Sequence, residues 1–295
     1  MEEKNYKGDD FYREAFSRNF GVFTLEEQDK IRNSKIAIAG MGGVGGHYLL
    51  SFVRLGVENF SIADFDCFEV ANINRQAGAD TTSLGRKKCD KMKEMAVNIN
   101  PNVKIDIFPE GINEKNVKNF LFKADVVIDG LDFFSINDRL MLFRNARLKN
   151  IFAITSPPIG FGASLLVFDP SGMSFEKYFD INNTLENKEK IIRFAVGLSP
   201  AMLQRKYYKP EKIDFSSGKA PSLGVGPLAC CVLVCAETIK IILGKKIKVV
   251  PFISQFDPFS QKYKKKYLCF GNQGIMQKIK LWYIKKIIKK SEEKN

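Results

Sequence analysis

KIAIAGMGGVGG, residues 35–46, sets five residues of strand character directly against a glycine-rich turn, and the residues that follow, HYLLSFVRLG, read as a helix. Gly40, Gly42 and Gly45 satisfy G-x-G-x-x-G at the junction, with Gly43 inside it. Phosphate recognition needs that order of strand, turn and helix: one glycine permits the tight turn, one lets backbone N–H groups approach the phosphate, and one lets the helix pack on the strand. The N-terminus of the helix then favours an anion. Asp64 stands 19 residues after Gly45, at the end of the next apolar run, where a carboxylate can bind ribose hydroxyls. The spacing predicts a nucleotide site without specifying NAD. His47 falls in the first helical turn, where the helix dipole disfavours a cation, and reads as a neutral residue beside the loop.

Outward from this unit, NFSIAD (59–64), VKIDIF (103–108), ADVVID (124–129) and IFAITS (151–156) are further strand candidates. Helices are expected near 24–33, 44–56, 86–99, 113–122 and 136–147. Strands spaced by helices imply parallel βαβ crossovers, so the fold class is α/β, a Rossmann-like doubly wound, mainly parallel sheet with a C-terminal elaboration. ASLLVFDP (163–170) is a sixth strand candidate. A helix near 186–196, an apolar helix over Pro227–Leu243 closed by Gly244, and short strands at 249–255 and 266–270 follow. The division read from these breaks is an N-terminal helical segment (1–34), a nucleotide-binding domain (35–170), a substrate-side elaboration with an interface helix (171–260) and a basic tail (261–295).

Composition narrows the chemistry. With 45% apolar and 27% charged residues in 295, the chain reads as globular, and its polar start, MEEKNYKGDD, does not suggest export. The longest uncharged apolar stretch, Pro221–Ala236, is shorter than the roughly 20 residues that span a bilayer, so a buried helix is expected and no transmembrane segment. Six cysteines without a CxxC pair suggest free thiols in a reducing, cytoplasmic setting. A single histidine removes the base of a Ser-His-Asp or Cys-His site and the ligands of a histidine-rich metal centre. The net charge is +13, but residues 261–290 hold ten lysines and no acid; with 291–295 contributing −1, residues 1–260 carry +4.

Beyond Asp64 the sequence continues ADFDCFEVANINRQ, LGRKKCDKM and VVIDGLD. Together these pieces resemble the ThiF/MoeB/HesA family of adenylating enzymes, relatives of the ubiquitin-activating enzymes. The family pattern of D-x-D, N-x-x-R-Q, G-x-x-K and a late aspartate falls on Asp64 and Asp66, Asn72, Arg75 and Gln76, Gly85 and Lys88, and Asp132. The resemblance implies ATP as substrate, with Asp64 on the ribose, Asn72, Arg75 and Lys88 on the phosphates, and Asp132 on a magnesium ion. It also implies a homodimer in which Arg18 of FSRNF reaches the phosphates of the neighbouring subunit, although Phe16 and Asn19 replace the family's usual tyrosine and glutamine. The expected activity is adenylation of a carboxylate on a carrier-protein C-terminus, a peptide, or a small or tRNA-linked acid. Forming an acyl adenylate loads charge on phosphate oxygens, which cations and a metal can meet without a histidine.

The chain also departs from the family. The two zinc-binding CxxC pairs are missing, so no zinc is expected, and no cysteine lies between Cys89 and Cys230, which makes a thioester step unexpected. Read singly, Arg75 and Lys88 are surface cations, Asp129 or Asp132 ends a strand in a turn, and Arg193, Arg205 and Lys206 are surface charges. Cys230, Cys231 and Cys235 read as packing residues of an apolar helix. Two other classes stay open: an NAD(P)-dependent oxidoreductase, supported by the glycine loop and Asp64 alone, and a non-catalytic partner of an activating enzyme. In the tail, Ile275, Ile279, Trp282, Tyr283 and Ile287 share one helical face while Leu281, Ile284 and Ile288 share another. Self-packing with a solvated lysine face is expected there, with tRNA or an acidic carrier as alternatives.

Overall fold

The computed structural model describes residues 7–207 and 221–292. Strands β1 (Lys35–Ala39), β2 (Asn59–Ala63), β3 (Lys104–Phe108), β4 (Val126–Asp129) and β5 (Phe152–Thr155) lie parallel in the order β3-β2-β1-β4-β5. Ile38 of the central strand pairs with Ile62 on one side and Ile128 on the other. Helices cover both faces of this part, so β1 after Lys35 is apolar at every position instead of alternating. Its pleat still sorts by size: Ile36 and Ile38 pack with Tyr48, Phe52 and Met92 on one face, whereas Ala37 and Ala39 leave room for Phe120, Leu142 and Phe143 on the other.

Two-residue β6 (Pro158–Ile159), β7 (Gly162–Phe168), β8 (Phe252–Asp257) and β9 (Lys262–Tyr267) extend the sheet to nine strands, and every pairing beyond β5 is antiparallel. The sheet therefore runs on across the boundaries read at 170 and 260. Expected strands at 249–255 and 266–270 shift to 252–257 and 262–267 because the hairpin register fixes them: Phe252 pairs with Tyr267 and Asp257 with Lys262. KYKKKY has all six side chains exposed, so no burial pattern marks it.

The helices are α1 (Gly8–Ala15), α2 (Leu25–Asn33), α3 (Gly45–Arg54), α4 (Lys88–Ile99), α5 (Val117–Phe120), α6 (Ile136–Leu148), α7 (Phe175–Phe179), α8 (Asn187–Leu198), α9 (Val225–Ile242) and α10 (Ile275–Glu292). A capping box of Thr24 and Glu27 starts α2. The helix expected over 113–122 shrinks to α5, because Asn113 and Asn116 accept the N–H groups of Lys115 and Asn113 and hold a turn in its place. By length and composition α9 is the one described helix able to cross a membrane, yet it packs on β7 and α3, with Cys230 and Val234 in the core. At the C-terminus, Leu281 and Ile288 of α10 pack on Ile192 and Val196 of α8, the self-packing expected for the tail.

Candidate nucleotide site

The carboxyl ends of β1, β2 and β4 meet at one edge of the sheet, and the glycine loop turns there into α3. Its glycines divide by physical role. Gly40, at φ +94°, lies against the Gly130 carbonyl, and a Cβ on Gly45 would overlap the Gly40 carbonyl oxygen, so these two allow the turn and the helix to close on the strand. Gly42 and Gly43 have room. A Cβ there would come no nearer than 3.7 Å to Gln76 and 3.9 Å to Arg75, which leaves their backbone open to a ligand at the start of a ten-residue helix.

Asp64 is locked beside this loop: its carboxylate accepts the N–H of Met41 at 2.7 Å and that of Asp66 at 2.9 Å. Burial pushes its carboxyl above the usual carboxylate range, against the pull of Lys88 and those two N–H donors. Lys88 opens α4 with its side chain almost fully covered and donates to Asp66 at 2.7 Å. Arg75, half-buried, donates to the Ala71 carbonyl and to Asn74 Oδ1, both at 2.8 Å, and its own carbonyl accepts from His47 Nε2–H at 3.1 Å. The histidine thus anchors the chain three residues beyond the 3-10 turn at 70–72. Asn72 Oδ1 accepts the N–H of Glu69 at 3.0 Å and caps that turn, which leaves donation to its amide nitrogen. Gln76, buried next to Gly42, has an Oε1 with no partner.

Asp132 is exposed on the loop after β4, with Oδ1 accepting from the N–H of Phe134 at 2.9 Å. What holds that loop escapes a reading of the sequence. Arg139 of α6, 2% exposed, pairs with Asp129 at 2.6 Å and donates to the carbonyls of Leu131 and Asp132 at 2.9 and 3.0 Å. Thr155 donates its hydroxyl to the same Asp129. Asp129 is thus the aspartate that ends its strand, and Asp132 the one displayed. A helical arginine ten residues downstream carries no motif, and only the fold brings it back to the strand end.

Arg18 stands apart. It is exposed, and its neighbour Asn19 donates to the Leu55 carbonyl at 3.3 Å, at the C-terminal end of α3. The helix places about 15 Å between that end and the glycine loop of the same chain. Arg193 is held by Asp180 and by Glu189 at 2.7 Å, while the side chain of Lys206 lies outside the described residues.

A cluster of three or more metal-ligating side chains is absent among the described residues. The open backbone at Gly42 and Gly43, the fixed Asp64 and the two cations suit a nucleoside phosphate.

The sheet order and this strand-turn-helix loop define a Rossmann-like fold. The ThiF family profile matches residues 16–270, and the chain belongs to that family. It is 25% identical over 259 residues to the adenylyltransferase and sulfurtransferase UBA4 of Candida albicans, covering 85% of this chain and 51% of that one. The chain thus spans about half the length of that curated relative. Among solved structures, PaaA superposes with a TM-score of 0.66 at 17% identity, covering 90% of this chain and 77% of that one. Escherichia coli MccB, solved with ATP, superposes at 0.64 with 18% identity, covering 92% and 72%. These two share the fold.

Proposed function

We propose that the chain is an ATP-dependent adenylyltransferase that joins AMP to a carboxylate and releases pyrophosphate. The observation that carries this reading is the gathering of the open glycine backbone, Asp64, Arg75 and Lys88 at one sheet edge, in a chain of the ThiF family. In the reaction a carboxylate oxygen attacks the α-phosphorus, the bond to pyrophosphate breaks, and negative charge grows on the phosphate oxygens. Asp64 orients the ribose. Arg75, Asn72 and the N-terminus of α3 bind the phosphates, and Lys88 leaves Asp66 to meet the growing charge. A magnesium ion held by Asp132 would supply further charge there.

The carboxylate is that of a carrier-protein C-terminus, a peptide, or a small or tRNA-linked acid. The reading stops at adenylation, because no cysteine lies between Cys89 and Cys230 to take the acyl group as a thioester. The working unit is a cytoplasmic homodimer. Val225, Leu228 and Val232 form an outward stripe on α9 that a second copy would cover, and Arg18, remote from its own loop, would serve the partner's site.

Calorimetric titration with magnesium-ATP, AMP and NAD tests the core of this. ATP should bind and NAD should not; pyrophosphate exchange then follows with candidate acids. NAD binding without ATP binding would return the chain to the oxidoreductase class.

A further inference from the structure

Helix α10 has two apolar stripes. Leu281, Ile284 and Ile288 face α8, whereas Ile275, Met276, Ile279, Trp282 and Tyr283 recur three or four residues apart on the opposite side and are 78%, 66%, 54%, 63% and 45% exposed. Ile275, Ile279 and Trp282 line a shallow apolar depression with the stem of Lys278. Monomeric surfaces rarely leave such a stripe in water.

The surround of this stripe narrows what can cover it. Lys278 and Lys286 are exposed on α10, the latter with its ammonium 5.2 Å from the Trp282 ring. Lys280 of α10 and Lys266 of β9 both donate to the Pro200 carbonyl, at 2.8 and 3.2 Å, so the lysine-rich edge strand adjoins the helix. No acid occurs from 261 to 290, where there are ten lysines, although Lys285 is paired with Glu189 of α8 at 2.7 Å. A symmetric contact between two copies would bring these lysines face to face. Nucleic acid would satisfy the lysines and the aromatic rings but gives the two isoleucines and Met276 little to bury against. An anionic bilayer surface answers both, because aliphatic side chains enter the headgroup boundary, Trp and Tyr sit at its level, and lysines meet the lipid phosphates.

We propose that the outward face of α10, with the lysines of β9 beside it, seats the protein reversibly on an anionic lipid surface. The helix lies in the interface plane, its inner stripe still packed on α8.

Trp282 is the single tryptophan of the chain and reports on this face directly. The full chain is mixed at physiological salt with vesicles of equal parts phosphatidylcholine and phosphatidylglycerol, and with phosphatidylcholine alone. Flotation and a blue shift of tryptophan emission are expected with the anionic vesicles only. Met276→Glu with Ile279→Glu should weaken that binding roughly a hundredfold, and Lys278→Gln or Lys286→Gln each about fivefold, with unchanged melting curves. The proposal is overturned if neither vesicle floats the protein, or if neutral vesicles bind equally. It is also overturned if oligouridylate alone shifts the emission, which marks a nucleic-acid face. Sedimentation showing a dimer that Ile279→Glu dissociates would overturn it in favour of a second copy.

Discussion

In β1 every residue after Lys35 is buried, whereas in β9 all six residues are exposed, although both are strands of one sheet. The difference separates two ways in which a chain specifies structure. On the parallel side, strand, turn and helix follow one another locally, and the side chains that form the core lie next to those that form the site. On the antiparallel side a strand exists because of its partner: β9 is held by β8, and its own side chains are turned to the surroundings. Substitutions near the glycine loop should therefore reach the fold or the ligand, position by position, and those near α10 external binding alone.

The largest effect tests the split within the loop itself. Gly45→Val forces a side chain into the Gly40 carbonyl and should cost about 3–5 kcal/mol, lowering the melting temperature by on the order of 10 °C. Gly42→Ala, with open space and no positive φ, should melt like the parent yet bind ATP more weakly. Equal melting curves for the two would erase the division of roles.

Next comes Arg139. Removing it leaves Asp129 buried and unpaired, so Arg139→Ala should cost about 3–5 kcal/mol and loosen the loop that displays Asp132. Adding Asp129→Leu should restore most of the stability while magnesium-ATP affinity stays low. A double variant that remains as unstable as the single one would show that the pair matters through something other than its charges.

A smaller effect follows from Asp64. A carboxyl raised on folding contributes stability that is fully present below its unfolded pKa and is lost as pH rises through the folded value. The ionised form is the one that accepts ribose hydroxyls. Across the window just above the ordinary carboxylate range, AMP affinity should climb with pH while stability falls slightly. Titrations and melts of Asp64→Asn should show neither slope, and a slope surviving in that variant would assign it to another group.

The smallest effect is expected at the far end. Met276→Glu and Ile279→Glu change side chains that are more than half exposed, so stability should move by less than about 0.5 kcal/mol and ATP affinity not at all. A large melting shift would mean that the outer stripe of α10 packs on the molecule after all.

The same contrast decides what a reader of the sequence can see. The five parallel strands, the glycine loop and Asp64 were legible because apolar runs and a fixed spacing report short-range geometry. Lys88 and Asp132 became candidates through family resemblance. Arg139 and Thr155 stayed hidden, since a buried arginine is recognised only by the aspartate it meets in space, and so did the bond by which Asn72 Oδ1 accepts from the Glu69 N–H and caps the turn at 70–72. The bounds of β9 were off by three or more residues because KYKKKY, lysine-rich and exposed, lacks a burial pattern, and those of β8, which does alternate, are set by its pairing with β9. In α10 both apolar stripes were readable, but which of them faces α8 was not.

The central claim is that Lys88 and Asp132 face one magnesium-ATP. It is tested most directly by titrating that ligand into Lys88→Ala and Asp132→Ala, each checked by a melting curve. Loss of one charge-assisted contact is worth about 1.5–3 kcal/mol, so each folded variant should bind roughly tenfold to a hundredfold more weakly. Two folded variants that bind magnesium-ATP as tightly as the parent would contradict the account, leaving Lys88 as the partner of Asp66 and Asp132 as the cap of its turn.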